Sequence, residues 1–266
     1  MRRTAGRRLL RPAWIAGPLW VILALAAVIW SAMPGPATAA LSALVTASPF
    51  AGTPAVGALF TMNDGRLGTH FCTASVVHSP EGNLILTAAH CLAGYSGASP
   101  ATIAFVPVYV DGATPELICL VTHIFVDPGW AATQDPDDDF AFLTVAQPGS
   151  DTPIEHVTGA ERLGIDEPAA GVTRVIGYPD ARAQPIICQD RTTMFSPTQM
   201  RFGCGGFTEG TSGSPFLIDS GGPAGGVTVI GVIGGYQQGG DSADVSYAAA
   251  FGSNVQALYD VAVTQG

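Results

Sequence analysis

Lysine is absent from all 266 residues, and charged side chains of every kind make up only 12% of the chain. The formal net charge is −10, and five arginines within the first eleven residues carry +5, so the remainder stands near −15. A surface that acidic repels phosphates, which excludes nucleic acid and anionic membranes as partners. Long stretches of helical periodicity are nearly missing, so a helical bundle is excluded. Cysteine is scarce at five residues, with no C-x-x-C and no H-x-x-x-H pair, and these spacings do not suit a zinc site.

Glycine and proline are abundant by contrast, at 33 and 20 residues. With 47% hydrophobic residues they indicate a sizeable core built from short strands and turns. Residues 1–40 stand apart. Arg2, Arg3, Arg7, Arg8 and Arg11 form a basic head, an apolar run follows from about Ala13 to Met33, and Ala37-Thr38-Ala39 has the small-x-small form of a signal-peptidase site. This predicts a secretory signal cut near Ala39 or Ala40 and an extracellular product. The competing reading is an uncleaved anchor, because a run of this length could span a bilayer. Gly17 and Pro18 interrupt it and favour cleavage. "GRRLLRP" is a poor match to a twin-arginine signal.

After the leader come twelve β-like runs rich in Val, Ile, Phe and Thr. Six lie at 56–62, 69–79, 83–91, 101–110, 116–126 and 139–146. A polar break, "QPGSDTP" at 147–153, separates them from six more at 172–178, 184–194, 200–206, 214–219, 226–236 and 245–251. "SNVQALYDVAV" at 253–263 reads as a helix with Ser253 as N-cap and Val255, Leu258, Tyr259 and Ala262 on one face. The expectation is an all-β fold of two packed six-stranded antiparallel β-barrels, about 54–146 and 154–251, with a C-terminal α-helix. Cys72 and Cys91 flank one strand pair and Cys188 and Cys204 another, which predicts two disulfides and leaves Cys119 as a buried thiol.

The octet "EGTSGSPF" (Glu209–Phe216) sets one serine between glycines. Alone it reads as a turn opening a hairpin. A serine hydroxyl becomes a useful nucleophile only with a base to take its proton. Of the five histidines, His70, His78, His123 and His156 read as structural. His90 differs, because it follows an apolar strand in "LTAAHC" (86–91), where a bridge from Cys91 to Cys72 would hold the imidazole in place. A carboxylate leading into a buried strand should orient that ring. "DPDDDFAFL" (135–143) offers Asp139, while Asp135, Asp137 and Asp138 read as loop residues. A solvated turn is the bland reading of this cluster, and a calcium loop lacks a full ligand set.

Together, "FCTASVV…LTAAHC", "DDDFAFL" and "GTSGSPF", in the order His, Asp, Ser, resemble the trypsin/chymotrypsin-like serine protease family over nearly the whole chain after the leader. The resemblance implies a site in the cleft between two barrels. His90 would be the general base, Asp139 its orienting partner and Ser212 the nucleophile. The N–H groups of Gly210 and Ser212 would form an oxyanion hole. It implies a polypeptide substrate, a secreted monomer, no cofactor or metal, and no stable membrane partner unless the leader is retained.

Two departures stand out. The usual Gly-Asp-Ser-Gly-Gly-Pro has Thr211 in place of the Asp and Ser214 in place of the second Gly. Thr211 cannot pair with a new N-terminal amine, so the site must be organised otherwise. Bacterial members similar to staphylococcal glutamyl endopeptidase share the uncharged residue, but the position of their substrate-binding His corresponds to Ile233 here. Two alternatives stay open: a catalytically silent binding module on the same fold, and a non-proteolytic esterase using the same triad.

Overall fold

Asp64 and Gly65 both take positive φ, 49° and 75°. They close a two-residue turn whose twist matches that of paired strands, with Asn63 opposite Arg66. In this computed structural model, which describes residues 44–95, 99–110, 117–220 and 226–266, the turn joins β3 (Val56–Asn63) to β4 (Arg66–Val76). Strand β4 therefore begins three residues before the expected 69. The leader expected over 1–40 lies outside the described residues.

Short β1 (Val45–Thr46) and β2 (Ser48–Pro49) precede this hairpin, and β5 (Leu84–Thr87), β6 (Ile103–Pro107), β7 (Cys119–Val126) and β8 (Ala141–Ala146) complete the first unit. The antiparallel order β3-β4-β5-β8-β7-β6 closes into a barrel. Strands β5 and β8 read "LILT" and "AFLTVA", and all of their side chains but that of Ala146 are buried. Such continuous apolar runs suit strands enclosed on both faces, and Leu59, Leu86, Phe105 and Phe142 fill the interior.

The second unit contains β9 (Arg162–Leu163), β10 (Gly171–Gly177), β11 (Ile186–Met194), β12 (Gln199–Phe202), β13 (Cys204–Gly205), β14 (Pro215–Asp219), β15 (Val227–Val232) and β16 (Ser246–Ala249). Its ladder runs β16-β12-β11-β10-β14-β15-β9, with β2 added on β11. Its six longer strands, β10, β11, β12, β14, β15 and β16, are the number expected for the second barrel, although no ladder pairs β15 with β16. The sheet curls so that the β15 and β16 regions meet through isolated bonds, Gly234 N–H to Tyr247 O (3.1 Å) and Phe251 N–H to Ile230 O (3.4 Å). The run expected over 226–236 leaves the ladder after Val232, where Gly234 and Gly235 begin a turn. A separate apolar cluster, including Val175, Met200, Phe202 and Phe216, fills this unit.

The C-terminal helix spans Ser253–Gln265, two residues longer than expected. Gly252, not Ser253, occupies the N-cap, and no side chain caps the helix there. Val255, Leu258 and Ala262 are buried against the first barrel, as the periodicity implies. Phe142 meets Tyr259 edge-on at 5.8 Å, and the Tyr259 hydroxyl donates to His78 O at 3.0 Å. The helix thus straps the end of the second sheet to the first barrel. Among the described residues no helix is long and apolar enough to cross a membrane.

One acid is buried where the two units meet. Glu161 N–H donates to Val76 O (2.8 Å), and Glu161 O accepts from His78 N–H (2.9 Å). Its side chain is enclosed, and Oε2 has no partner among the described residues. Burial pushes its pKa from the usual 4.5 up to about 8, and the nearby Ser75 hydroxyl and Arg174 charge offset only part of the rise. A folded pKa above the unfolded one means that the folded chain binds the extra proton. The associated stability is full below the unfolded value and is lost as pH rises through the folded one, with a limiting slope of about 1.4 kcal/mol per pH unit. Glu161→Gln, which mimics the protonated acid, should therefore gain on the wild type from about pH 4.5 upward, with the gap levelling off above about pH 8. Urea unfolding at pH 5, 7 and 9 checks this, the wild type weakening toward pH 9 more steeply than the variant.

Candidate active site

Strand β5 ends at Thr87, and Ala88 and Ala89 are small enough for the chain to turn at once into a 3-10 segment, Ala89–Tyr95. The expected strand 83–91 therefore stops short, and His90 stands at the turn. Cys91 is bridged to Cys72 on β4 with a Cα separation of 6.2 Å, anchoring the loop as the spacing implied. Both sulfurs are consumed by that bridge, so the proximity of Cys72, Cys91 and His90 does not supply thiolate metal ligands. The second expected bridge, Cys188–Cys204, is also present. Cys119 is free and buried, its thiol pushed up to about 11 by burial.

Asp139 does not begin a strand, as the run 139–146 suggested. It ends a 3-10 turn, Pro136–Asp138, with φ −78° and ψ 60°. That backbone kink turns its carboxylate inward, where it is almost fully enclosed. Oδ1 accepts the backbone N–H of His90 at 2.9 Å, and Oδ2 meets His90 Nδ1 at 2.8 Å and the N–H of Gly235 at 2.8 Å. Three donors thus surround one buried carboxylate, leaving the far ring nitrogen of His90 directed elsewhere. Gly234 has no room for a side chain, since a Cβ there would sit 2.9 Å from Asp139 O and 3.0 Å from Oδ2.

The neighbouring acids are tied down as well. Asp137 Oδ1 accepts from Gln199 Nε2 at 2.6 Å, and Asp138 Oδ1 from Asn254 Nδ2 at 2.8 Å. Burial raises the pKa of Asp138, with the negative charges of Asp127, Asp135 and Asp137 adding to the rise and the Asn254 bond opposing it. Gln199 also accepts from Tyr236 N–H at 3.0 Å, joining the acid loop to the turn after β15.

Ser212 lies across the same cleft from this pair, in a space of about 690 Å³ lined also by Phe207, Glu209, Ile233 and Asp241. The loop holding it turns through two glycines at positive φ, Gly210 (87°) and Gly213 (81°). Neither could carry a side chain: a Cβ on Gly210 would sit 2.4 Å from Asp180 N, and one on Gly213 2.1 Å from Thr73 O. Among the described residues the N–H groups of Gly210 and Ser212 donate to no protein acceptor, while those of Thr211, Gly213 and Ser214 do. Thr211 Oγ1 donates to Thr208 O at 2.6 Å, so the threonine braces the loop from within. Ser214 is fully buried with its Oγ unpartnered, packed where a Cβ on Gly177 would otherwise lie. Of the two serines, only Ser212 faces the cleft.

The other histidines hold structural contacts or none. His70 meets Pro179 O at 2.9 Å, His78 meets Glu155 Oε1 at 2.6 Å, and His123 meets Thr144 Oγ1 at 3.0 Å; His156 is exposed on a short helix. Sequence reasoning missed Thr73, Gln199 and Gly235, which bond to the candidate residues or their loops. The Gly-Gly pair after β15 was the one visible sign of a close approach.

Because two backbone donors and the imidazole converge on it, Asp139 should matter to stability as well as to chemistry. Asp139→Asn would turn one acceptor into an NH₂ group facing donors. Leaving a buried donor unpaired costs about 1–3 kcal/mol. Urea or thermal unfolding of the variant should show a loss of that size, and unchanged stability would contradict the bonding described.

Comparison with known proteins bears on the family and the fold. A family model described as Trypsin matches residues 51–256. No curated protein matches the chain. Among solved structures, the protease Anisep from Arthrobacter nicotinovorans superposes with a TM-score of 0.67 at 21% identity, covering 83% of this chain and 100% of its own. The thermostable serine protease AL20 from an extremophilic microorganism gives 0.64 at 23% identity, covering 80% and 99%. A Glu endopeptidase in complex with MPD gives 0.61 at 17% identity, covering 83% and 98%. With a closed β-barrel, a second curled sheet, a terminal helix and a family match over most of its length, this chain has a chymotrypsin-like fold and belongs to the trypsin family.

Proposed function

We propose that the protein is a secreted serine endopeptidase that cleaves polypeptides through an acyl-enzyme intermediate. The observation that carries this reading is the buried Asp139 carboxylate bonded to His90 Nδ1 in the cleft that Ser212 faces. His90 Nε2 takes the Ser212 proton as Oγ attacks the scissile carbonyl, and Asp139 fixes the tautomer and stabilises the imidazolium. Charge developing on the carbonyl oxygen is met by the N–H groups of Gly210 and Ser212. His90 then returns the proton to the leaving amine, and water, activated by the same base, releases the acyl group. Among the described residues Ser212 Oγ makes no hydrogen bond to His90, whose Nδ1 meets Asp139, and such bonds often tighten only in the Michaelis complex.

Several features support the remaining assignments. The basic head, apolar run and Ala37-Thr38-Ala39 of the leader support export, and two disulfides suit an oxidising compartment. The acidic surface supports a monomer that binds neither nucleic acid nor anionic lipid. The Thr211–Thr208 bond supports a site that needs no inserted N-terminal amine.

The cleft also bears on the substrate. Apart from His90, its charged lining residues are Glu209 and Asp241, both exposed and both acidic. Ile233 presents an apolar side chain to the same space. Peptides with cationic or neutral residues beside the scissile bond are favoured over acidic ones, unlike the specificity in the name of the Glu endopeptidase neighbour. Matched peptides differing only by Arg or Glu at that position test this. The Arg peptide should have the higher kcat/KM, and the gap should shrink in ~1 M salt, where screening acts within about 3 Å.

The central test is chemical. A fluorophosphonate should label Ser212 of the secreted protein, and Ser212→Ala should abolish labelling. Turnover of the variant should fall by orders of magnitude, to a residual about 10³–10⁴-fold above water. Wild-type turnover in that variant, or a label on another serine, would remove the mechanism.

A further inference from the structure

Thr73 lies on β4 of the first barrel, fully buried, yet its bonds reach across to the second unit. Its Oγ1 donates to Gly210 O at 3.1 Å and accepts the N–H of Tyr178 at 2.9 Å. Its backbone N–H donates to Ser212 O at 2.8 Å. Behind it, Thr87 Oγ1 donates to Thr73 O at 2.8 Å. Every polar atom of Thr73 is therefore engaged, and two of its bonds end on Gly210 and Ser212, whose N–H groups have no protein acceptor among the described residues.

The packing is equally constrained. Gly213 presses against the same pair: a Cβ there would lie 2.1 Å from Thr73 O and 2.2 Å from Thr87 Oγ1. Gly210 in turn is pressed against the Tyr178–Asp180 segment, with a hypothetical Cβ 2.7 Å from Tyr178 O. The Thr73 hydroxyl sits at the junction, binding both strands of this contact. The peptide unit that carries the Gly210 N–H is held on one side by Asp180 N–H, which donates to Glu209 O at 2.9 Å. The carbonyl of Gly210 belongs to the next unit, so the Thr73 bond restrains ψ of Gly210 from the other side.

We propose that the Thr73 hydroxyl is a positioning residue of the oxyanion loop, acting from the opposite barrel on the Gly210 carbonyl and, together with the Asp180–Glu209 bond, keeping the Gly210 N–H in donor geometry; this rests on the oxyanion role proposed above. Thr73 touches no substrate atom. Its contribution should be felt where negative charge accumulates on the substrate oxygen, and little in the ground state.

Thr73→Val keeps the shape and removes the hydroxyl, whereas Thr73→Ser keeps the hydroxyl and removes a methyl. For the valine variant, kcat should fall ~10–100-fold with KM nearly unchanged, somewhat less than the 10²–10³-fold typical of deleting an oxyanion donor outright. Affinity for a peptide boronate, which mimics the tetrahedral state, should fall in proportion to kcat/KM. Thr73→Ser should restore kcat to within about threefold, because the hydrogen bond is regained. Rates are taken per folded molecule, measured by near-UV circular dichroism, and Thr73→Ala substitutes if the valine variant does not fold. Equal kcat in the hydroxyl-lacking and wild-type proteins, with fluorophosphonate still labelling wild-type Ser212, would overturn the proposal and leave the protease reading intact. A wild type unlabelled at Ser212 would overturn both.

Discussion

A buried carboxylate is the constraint on which this site depends. Asp139 is enclosed in protein, and an ionised acid in that setting is tolerated only when its oxygens are met by donors. Those donors come from both halves of the molecule: the backbone and ring of His90 from the first barrel, and the N–H of Gly235 from the turn after β15. Satisfying one charge therefore fixes the relative placement of two sheets that share no extensive ladder. The lack of a side chain at Gly234 follows, because its backbone must approach the acid closely, whereas Gly235 has a φ of 74° and a Cβ there would sit 2.4 Å from Gln199 Oε1.

Thr73 gives a second set of cross-links in the opposite sense, from the first barrel to the loop of Ser212. Between them these two residues tie His90 and the Ser212 loop, the candidate base and nucleophile, to a common frame. The Cys72–Cys91 bridge adjoins both, since Cys72 precedes Thr73 and Cys91 follows His90. It stabilises the frame mainly by limiting the unfolded chain, typically by about 2–4 kcal/mol. Thr211, the residue before Ser212, carries no charge and bonds to Thr208 within the loop.

Much of the fold was legible because its causes are local. Runs rich in β-branched residues between Gly and Pro clusters located twelve strands, and the apolar face of the last segment located the helix. Ends were misplaced where a local rule lost to a tertiary one. Asp139 was read into a strand because an apolar run follows it, but its bonds to His90 and Gly235 hold it in a kink. Ser253 was read as a cap, but Gly252 adopts the extended backbone there and Ser253 joins the helix. The short β2 and β9 escaped notice because two residues carry no period, and their pairing depends wholly on the strands they meet.

The sequence by itself determined the candidate chemistry: a serine between glycines, one histidine beside a bridged cysteine, and an acid at the head of a buried run. These signals are short and continuous, and each residue type serves its role through its own functional group. Only the tertiary structure decided that Asp139 of four neighbouring acids meets His90, that Ser212 and not Ser214 opens to the cleft, and that Thr73 and Gln199 support the loops from a distance. Those partners lie 37 to 139 residues apart along the chain. Hydrogen bonds across such separations depend on ångström-level placement that only the completed packing of both sheets provides.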